Sequence, residues 1–437
     1  MRQRLTTLIA FTGLLAVGAH AQVPEEVIQQ SFFPYEDGMP GAEGYEPGVV
    51  INKDNVDQYE GIIDEFLYRY VKNGWTELRT KPNFSLPLHP NYVQATRDHA
   101  GSVSLSPEGA LLDHVAGRPF PQAPSLDDPE AGLKQIWNYQ RGFNAGDSET
   151  IKPFYWTFRD GKTGKTERQI RFHWRFLNWK HRTVFDPKPD IEPNPGGIFR
   201  SIYGTVLEPF DLANTQLLIQ RYEDDLQRDD AWLYLGFQRR VRRLASGQIT
   251  DAFLGTDAMI EDFEGYNGRV SDYEWTYIGT RNVLMPFIES RDEATLDTEP
   301  ERDPDGFRFI AMGGQGNCFP QSPWRLRTTH VVEGRPKDPS HPLSKRVLFF
   351  DSQTGTAPII HVYDKKGDPW KWFPICKTRP EAHLPINHDS GVPIEDCAVF
   401  WDEQADHCTT LQFKVMINKE DTKPLLFNVQ NMRKTGR

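Results

Sequence analysis

Residues able to carry chemistry are few and dispersed in this chain. The twelve histidines are spread along 437 residues. No Gly-x-Ser-x-Gly elbow presents a nucleophile, and no His-Glu-x-x-His holds a zinc ion. The densest polar cluster is His383, His388 and Asp389, in a proline-rich loop. Two imidazoles five residues apart, with a carboxylate beside them, can bind a metal or act as acid and base, or can simply be solvated. Gly313-Gly314-Gln315-Gly316 has the glycines of a phosphate loop, but no Lys-Ser/Thr pair follows, so it reads as an ordinary loop. No catalytic residue, metal or cofactor is assigned. A hydrolase built from distant residues stays open, because such triads assemble in space.

Cysteine and arginine supply two further constellations. Arg2 and Arg4 precede an apolar run from Leu5 to Val17, and Ala19-His20-Ala21 offers small residues for cleavage before Gln22. That pattern is a secretory leader and places the chain outside the cytoplasm, where disulfides form. Cys318, Cys376, Cys397 and Cys408 then read as two bridges. The favoured pairing is Cys397 with Cys408, across a short polar turn from Asp402 to Asp406, leaving Cys318 for Cys376. A zinc site that includes His407 lacks the Cys-x-x-Cys spacing. The basic run Arg239, Arg240, Arg242 and Arg243 is suited to phosphate head groups or an acidic partner, since guanidinium forks bind such groups bidentately. The alternative is internal pairing with Asp257, Glu261, Asp262 or Glu264.

The elements that position these residues are mostly strands. Residues 22–150 are rich in Pro, Gly and Asn and carry one amphipathic helix, Asn55 to Lys72, so this part is expected to wrap as an arm with apolar anchors. From residue 151 to 437 the pattern becomes strand, turn, strand. Roughly a dozen strands are expected, among them Phe154–Arg159, Arg168–Trp179, Ile198–Leu207, Thr215–Tyr222 and a single long Trp232–Leu244. No helical period alternates with them, which points to an antiparallel meander. In the run Trp232-Leu233-Tyr234-Leu235 both faces are apolar, because side chains alternate across a pleat. One face needs a core and the other a second layer or a cavity, and the second face is read as evidence for a hollow β-structure. If there is a cavity, its lining is Leu217, Ile219, Leu233, Leu235, Phe237, Phe253, Leu254 and Met259; the alternative is that these residues fill an ordinary core.

Charge narrows the partners. The whole chain carries a net −11, and −13 without the two leader arginines. An acidic balance of that size disfavours nucleic acid and general adhesion to anionic membranes. Beyond the leader, no apolar run is long enough to span a bilayer.

Several pieces, in this order, carry a resemblance: Gly117-Arg118-Pro119-Phe120-Pro121, Ile136-Trp137-Asn138, Trp232-Leu233-Tyr234-Leu235 with the basic run, Phe253-Leu254-Gly255-Thr256-Asp257, Glu261-Asp262, Lys345 to Asp351 and Tyr363 to Trp370. Together they resemble exported Gram-negative proteins of an outer-membrane lipoprotein-sorting-like group, and within it a domain-of-unknown-function family. The resemblance implies a half-closed antiparallel barrel around a few helices, like the Lol lipoprotein carriers, with a concave face able to hold acyl chains. It also implies a resistance-nodulation-division transporter as a possible partner. This chain departs in Gly236-Phe237-Gln238, where relatives often carry a proline, and in its four cysteines. The expected role is a carrier for a lipid or other hydrophobic molecule; the alternatives are a non-catalytic adaptor of an envelope complex or an envelope hydrolase.

Overall fold

A computed structural model of the protein describes residues 22–236, 238–244, 250–298, 303–417 and 421–436. The leader and Phe237 lie outside the described residues.

Thirteen long strands form one curved sheet. In chain order they are β1 (Ser148–Asp160), β2 (Thr166–Asn178), β3 (Ile198–Glu208), β4 (Gln216–Tyr222), β5 (Asp230–Leu235), β6 (Arg240–Arg243), β7 (Tyr273–Met285), β8 (Pro323–Pro336), β9 (Leu343–Asp351), β10 (Ile359–Asp364), β11 (Pro369–Thr378), β12 (Ile394–Asp402) and β13 (His407–Met416). Their order across the sheet runs β7 to β13, then β1 to β6, each antiparallel to its neighbour. Two antiparallel meanders are thus joined by the pairing of β13 with β1. The sheet stays open, since β6 and β7 lie at opposite ends of the order. Three short strands complete it, and two of them pair in parallel: Leu78–Thr80 on β8 and Phe287–Ile288 on β11.

Both faces of the sheet are covered, which explains why its strands read as apolar on two sides. On the inner face, alternate residues of β1 and β2 (Phe154, Trp156, Phe172, Trp174) meet Phe253, Met259, Ile260 and Phe263 from the segment between β6 and β7. On the outer face, one half of the sheet packs on helix α2 (Glu65–Lys72) through Phe66, Leu67, Tyr70 and Val71. The other half packs on the C-terminal helix Val429–Thr435, where Tyr203, Leu218 and Tyr234 meet Phe427 and Met432.

Residues 22–150 hold more helix than the sequence suggests. The single helix Asn55–Lys72 is two pieces, a 3-10 turn Val56–Ile62 and α2. The break falls where the Asp64 carboxylate accepts from the N–H groups of Phe66 and Leu67, capping a new helix start. Three more helices, Glu25–Phe32, Pro90–His99 and Ala131–Gln140, bury residues in the inner-face core, so the arm reaches both faces.

Two further expectations are corrected. The strand Trp232–Leu244 is a hairpin, β5 and β6, with Trp232 opposite Arg243. Gly236 and the left-handed Arg239 (φ 52°) turn the chain, so Arg239 lies in the turn and shares no strand face with Arg243. The disulfide joins Cys318 to Cys408, with Cα atoms 6.0 Å apart, while Cys376 and Cys397 are free and buried. The strand register is the reason: in the β12–β13 hairpin Cys408 faces Trp401, and Cys397 faces Gln412 on one side and Cys376 on the other. Cys318 reaches Cys408 from the loop before β8. Because this bridge closes a 90-residue separation, removing it with Cys318→Ser is expected to cost about 2–5 kcal/mol in a urea titration. Cys397→Ser leaves the bridge intact and is expected to shift the midpoint much less.

Candidate functional site

The segment between β6 and β7 forms a plug inside the curved sheet. Its rings interlock with those of the wall: Phe263 is edge-on to Trp156 and Trp174, at centroid distances of 5.8 and 5.2 Å, and Phe253 is edge-on to the same pair. Such contacts add to the area they bury. What remains of the interior is a cavity of about 40 Å³. That is room for about one water molecule and far too small for a hydrocarbon tail.

Short-range periodicity does not explain why a loop of 3-10 turns fills a barrel; buried charge does. Arg346 on β9 is fully buried and hydrogen-bonds Glu261 and, at 3.2 Å, Asp262. The Tyr273 hydroxyl donates to Glu261, and His341 lies 3.1 Å from its other oxygen. Burial pushes the Glu261 carboxyl up, but the Arg346 charge and His341 outweigh it and hold the group below its usual value. Asp262 is raised by burial despite Arg346. A second anchor sits at Asp257. Its carboxylate meets His407 Nδ1 at 2.8 Å and accepts from Thr409 at 2.6 Å, and Lys371 donates to its carbonyl. The hydrogen bond with Asp257 raises the His407 pKa.

These anchors correct the reading that the acids of the plug neutralise the basic run. Asp257, Glu261 and Asp262 bind the sheet, and Glu264 pairs with Arg200 at 2.7 Å. The basic residues stay at the surface: β6 is an edge strand, Arg239, Arg240 and Arg242 are exposed, and Arg243 pairs with Asp230. Arg433 and Lys434 of the adjoining C-terminal helix are also exposed. Phe210, 96% exposed, tips the β3–β4 turn beside Gly236.

Of the residues expected to line a cavity, Leu217, Ile219, Phe253 and Met259 are buried in the inner core, and Leu233 and Leu254 pack against it half-buried. Leu235 is half-buried at the end of β5. Ile219 also reaches an open cleft. This cleft, about 480 Å³, lies where the two ends of the sheet approach without pairing. Ile219, Ala231, Leu244 and Ile260 give it an apolar floor, and Arg269, Asp272, Lys337 and His341 stand at its rim. Its volume falls within the range of small-molecule sites. A groove of about 350 Å³ on the outer face, beside Ile278, Val331, Val347 and Phe349, is more open.

The other chemical candidates do not converge. His383 is buried, 3.2 Å from Asp396, with Nε2 accepting from the Val415 N–H, whereas His388 and Asp389 are exposed. Among the described residues no group of three or more His, Cys, Asp or Glu is placed to hold a metal, and no helix is long and apolar enough to cross a membrane. What the sequence reading missed is Arg346 as an anchor and Glu149 on the inner face of β1. The Arg346 and Glu261-Asp262 pieces were both visible, but 84 residues of chain separate Asp262 from Arg346.

The model of one family matches residues 50–433, nearly the whole described chain. This chain belongs to the family described as Protein of unknown function (DUF1329). An uncharacterised protein of Pseudomonas aeruginosa is 23% identical over 357 residues, covering 80% of this chain and 71% of that protein. Among solved structures, a domain from Vibrio parahaemolyticus named for outer membrane lipoprotein sorting is 15% identical, with a TM-score of 0.47, covering 70% of this chain and 100% of its own. A DUF1329 family protein from Desulfovibrio piger gives 16% identity and the same TM-score, covering 70% and 99%. A LolA superfamily protein from Nitrosomonas europaea gives 11% and 0.37, covering 65% and 91%.

Breaking a buried ion pair by removing one partner is strongly destabilising. Arg346→Met is therefore expected to lower stability by about 3–5 kcal/mol in chemical denaturation, and adding Glu261→Gln and Asp262→Asn is expected to restore part of that loss. Glu149 and His407 both make stability fall as pH rises. Glu149, buried with Glu395 and Glu264 nearby, is held well above its usual 4.5 by burial first and by those carboxylates second. Its contribution is complete below about pH 4.5 and is lost as pH rises through the raised folded value. His407 behaves likewise above its usual 6.5. Five histidines with lowered pKa values, His89, His114, His173, His330 and His383, act in the opposite direction near pH 6.5, so the test is a difference: relative to Glu149→Gln, the thermal midpoint of the wild type is expected to fall as pH rises from about 5 to 9.

Proposed function

We propose that this DUF1329 protein is an exported binding protein for an amphipathic molecule, with the cleft at the open seam as its entrance and the plugged interior as its chamber. The observation that carries this reading is the placement of one segment between two spaces. Ile260, Glu261 and Asn267 of the plug form one wall of the 480 Å³ cleft. Phe263, Glu264 and Gly265 of the same segment close the interior cavity. A hydrocarbon chain entering over Ile219, Leu244 and Ile260 would take the place of plug side chains and exchange one set of apolar contacts for another. Each methylene buried contributes about 0.8 kcal/mol, so the exchange is close to balanced and suits a carrier that must also release. Two left-handed residues in the plug, Leu254 (φ 50°) and Glu264 (φ 57°), hold backbone that costs energy in non-glycine residues. They stand on either side of the anchored Glu261-Asp262 pair.

The leader pattern supports a periplasmic location. The exposed basic edge of Arg239, Arg240 and Arg242 supports docking on an anionic surface, and a resistance-nodulation-division transporter is one partner with which such a carrier would exchange its load. The same edge favours the second reading, an adaptor without cargo. Native mass spectrometry of the protein purified from the periplasm separates the two. A bound apolar molecule, lost on Leu244→Arg with the fold retained, is the expected result; protein free of cargo that still captures a transporter would favour the adaptor.

A further inference from the structure

The interior cavity is not uniformly apolar. At the end nearest the arm it is bounded by three carboxylates, Glu149, Glu264 and Glu395. Two of them are answered: Glu264 by Arg200 at 2.7 Å and Glu395 by Lys377 at 2.9 Å. Glu149 is not. It is 6% exposed, it follows the inward phase of β1 opposite Phe176, and among the described residues no donor or cation bonds its carboxyl. The charged groups that act on it are Glu264, Glu395, Arg200 and Lys377, from the plug, β12, β3 and β11. With all five ionised, the end of the chamber is one positive charge short. The walls beside it are the faces and edges of Trp174, Phe176 and Phe263.

A buried acid without a partner is costly when ionised and is kept protonated by its apolar surroundings. A ligand that brings a cation removes that cost, and aromatic faces attract the same charge through their quadrupoles. We propose that this end of the chamber receives the protonated amine of an amphipathic ligand, with Glu149 as its counter-ion. A plain fatty acid is then the wrong cargo: its carboxylate would join three others. The present space of about 40 Å³ suits the amine group alone. The attached chain needs the volume held by Phe263, so the inference rests on the carrier reading and names its class of cargo.

The test compares decylamine, decanol and decanoate, each below its critical micelle concentration, by calorimetry at neutral pH on the full mature chain. Decylamine is expected to bind at least tenfold more tightly than decanol, decanoate more weakly than either, and Glu149→Gln to erase the preference while leaving decanol unchanged. Proton release gives a readout that needs no variant. Because Glu149 must be ionised to pair with the amine and burial raises its pKa, binding to the wild type should release protons, up to one per site, seen as a dependence of the apparent heat on buffer ionisation enthalpy. Equal binding of all three ligands with no proton release would overturn the amine assignment and leave the carrier. Absence of binding by any of the three would overturn the carrier reading itself.

Discussion

Arg346 makes the ionic contact on which the interior depends. A guanidinium with no exposure is tolerable only if its charge is matched, and Glu261 and Asp262 match it from a loop that has no sheet ladder of its own. The sheet supplies the cation, the plug supplies the anions, and the plug's aromatic residues are thereby fixed against Trp156 and Trp174. Without that pairing the apolar wall between β1 and β12 would face an open hollow. The second anchor, at Asp257, fixes the other end of the same segment to β13 and β11. The molecule is therefore a half-barrel that carries its own filling, held at points and not along its length.

This arrangement accounts for a surface that looks divided in purpose. The chain is acidic overall, yet the edge strand β6 presents arginines, a common means of keeping an exposed edge from pairing with another sheet. The same charges border the open seam, where Leu244 follows directly from β6 into the cleft floor. In the proposed function, entrance and docking edge share one short hairpin, with exposed arginines beside the cleft and carboxylates at the inner end of the cavity.

Much of the wall was legible in the sequence. Period-two alternation located most strands within a few residues, but the apolar second face, which reads as the sign of a hollow, is covered by a packed layer. The hairpin within Trp232–Leu244 was not legible, because Gly236 alone is a weak turn signal and Arg239 adopts a left-handed conformation that its residue type does not advertise. The disulfide was misread for a related reason: nearness in sequence made Cys397 and Cys408 look paired, whereas strand register sets one of them opposite Gln412. The plug was half legible. Phe253 and Met259 lie in the inner core and Leu254 packs against it half-buried, but whether such residues line an interior or fill it depends on ion pairs between residues far apart in the chain. Glu149 was passed over because a single acid at the start of a strand looks like a solvated end until the neighbouring strands enclose it.

Amide hydrogen exchange across the plug, read with and without saturating decanol, tests the central claim that the plug holds the place of a ligand chain. Residues 259–265 are expected to be protected in the free protein and to exchange markedly faster once decanol is bound, while β1 and β2 remain protected throughout. Bound decanol with unchanged protection of residues 259–265 would contradict it, because the chain would then be held somewhere other than the chamber the plug fills.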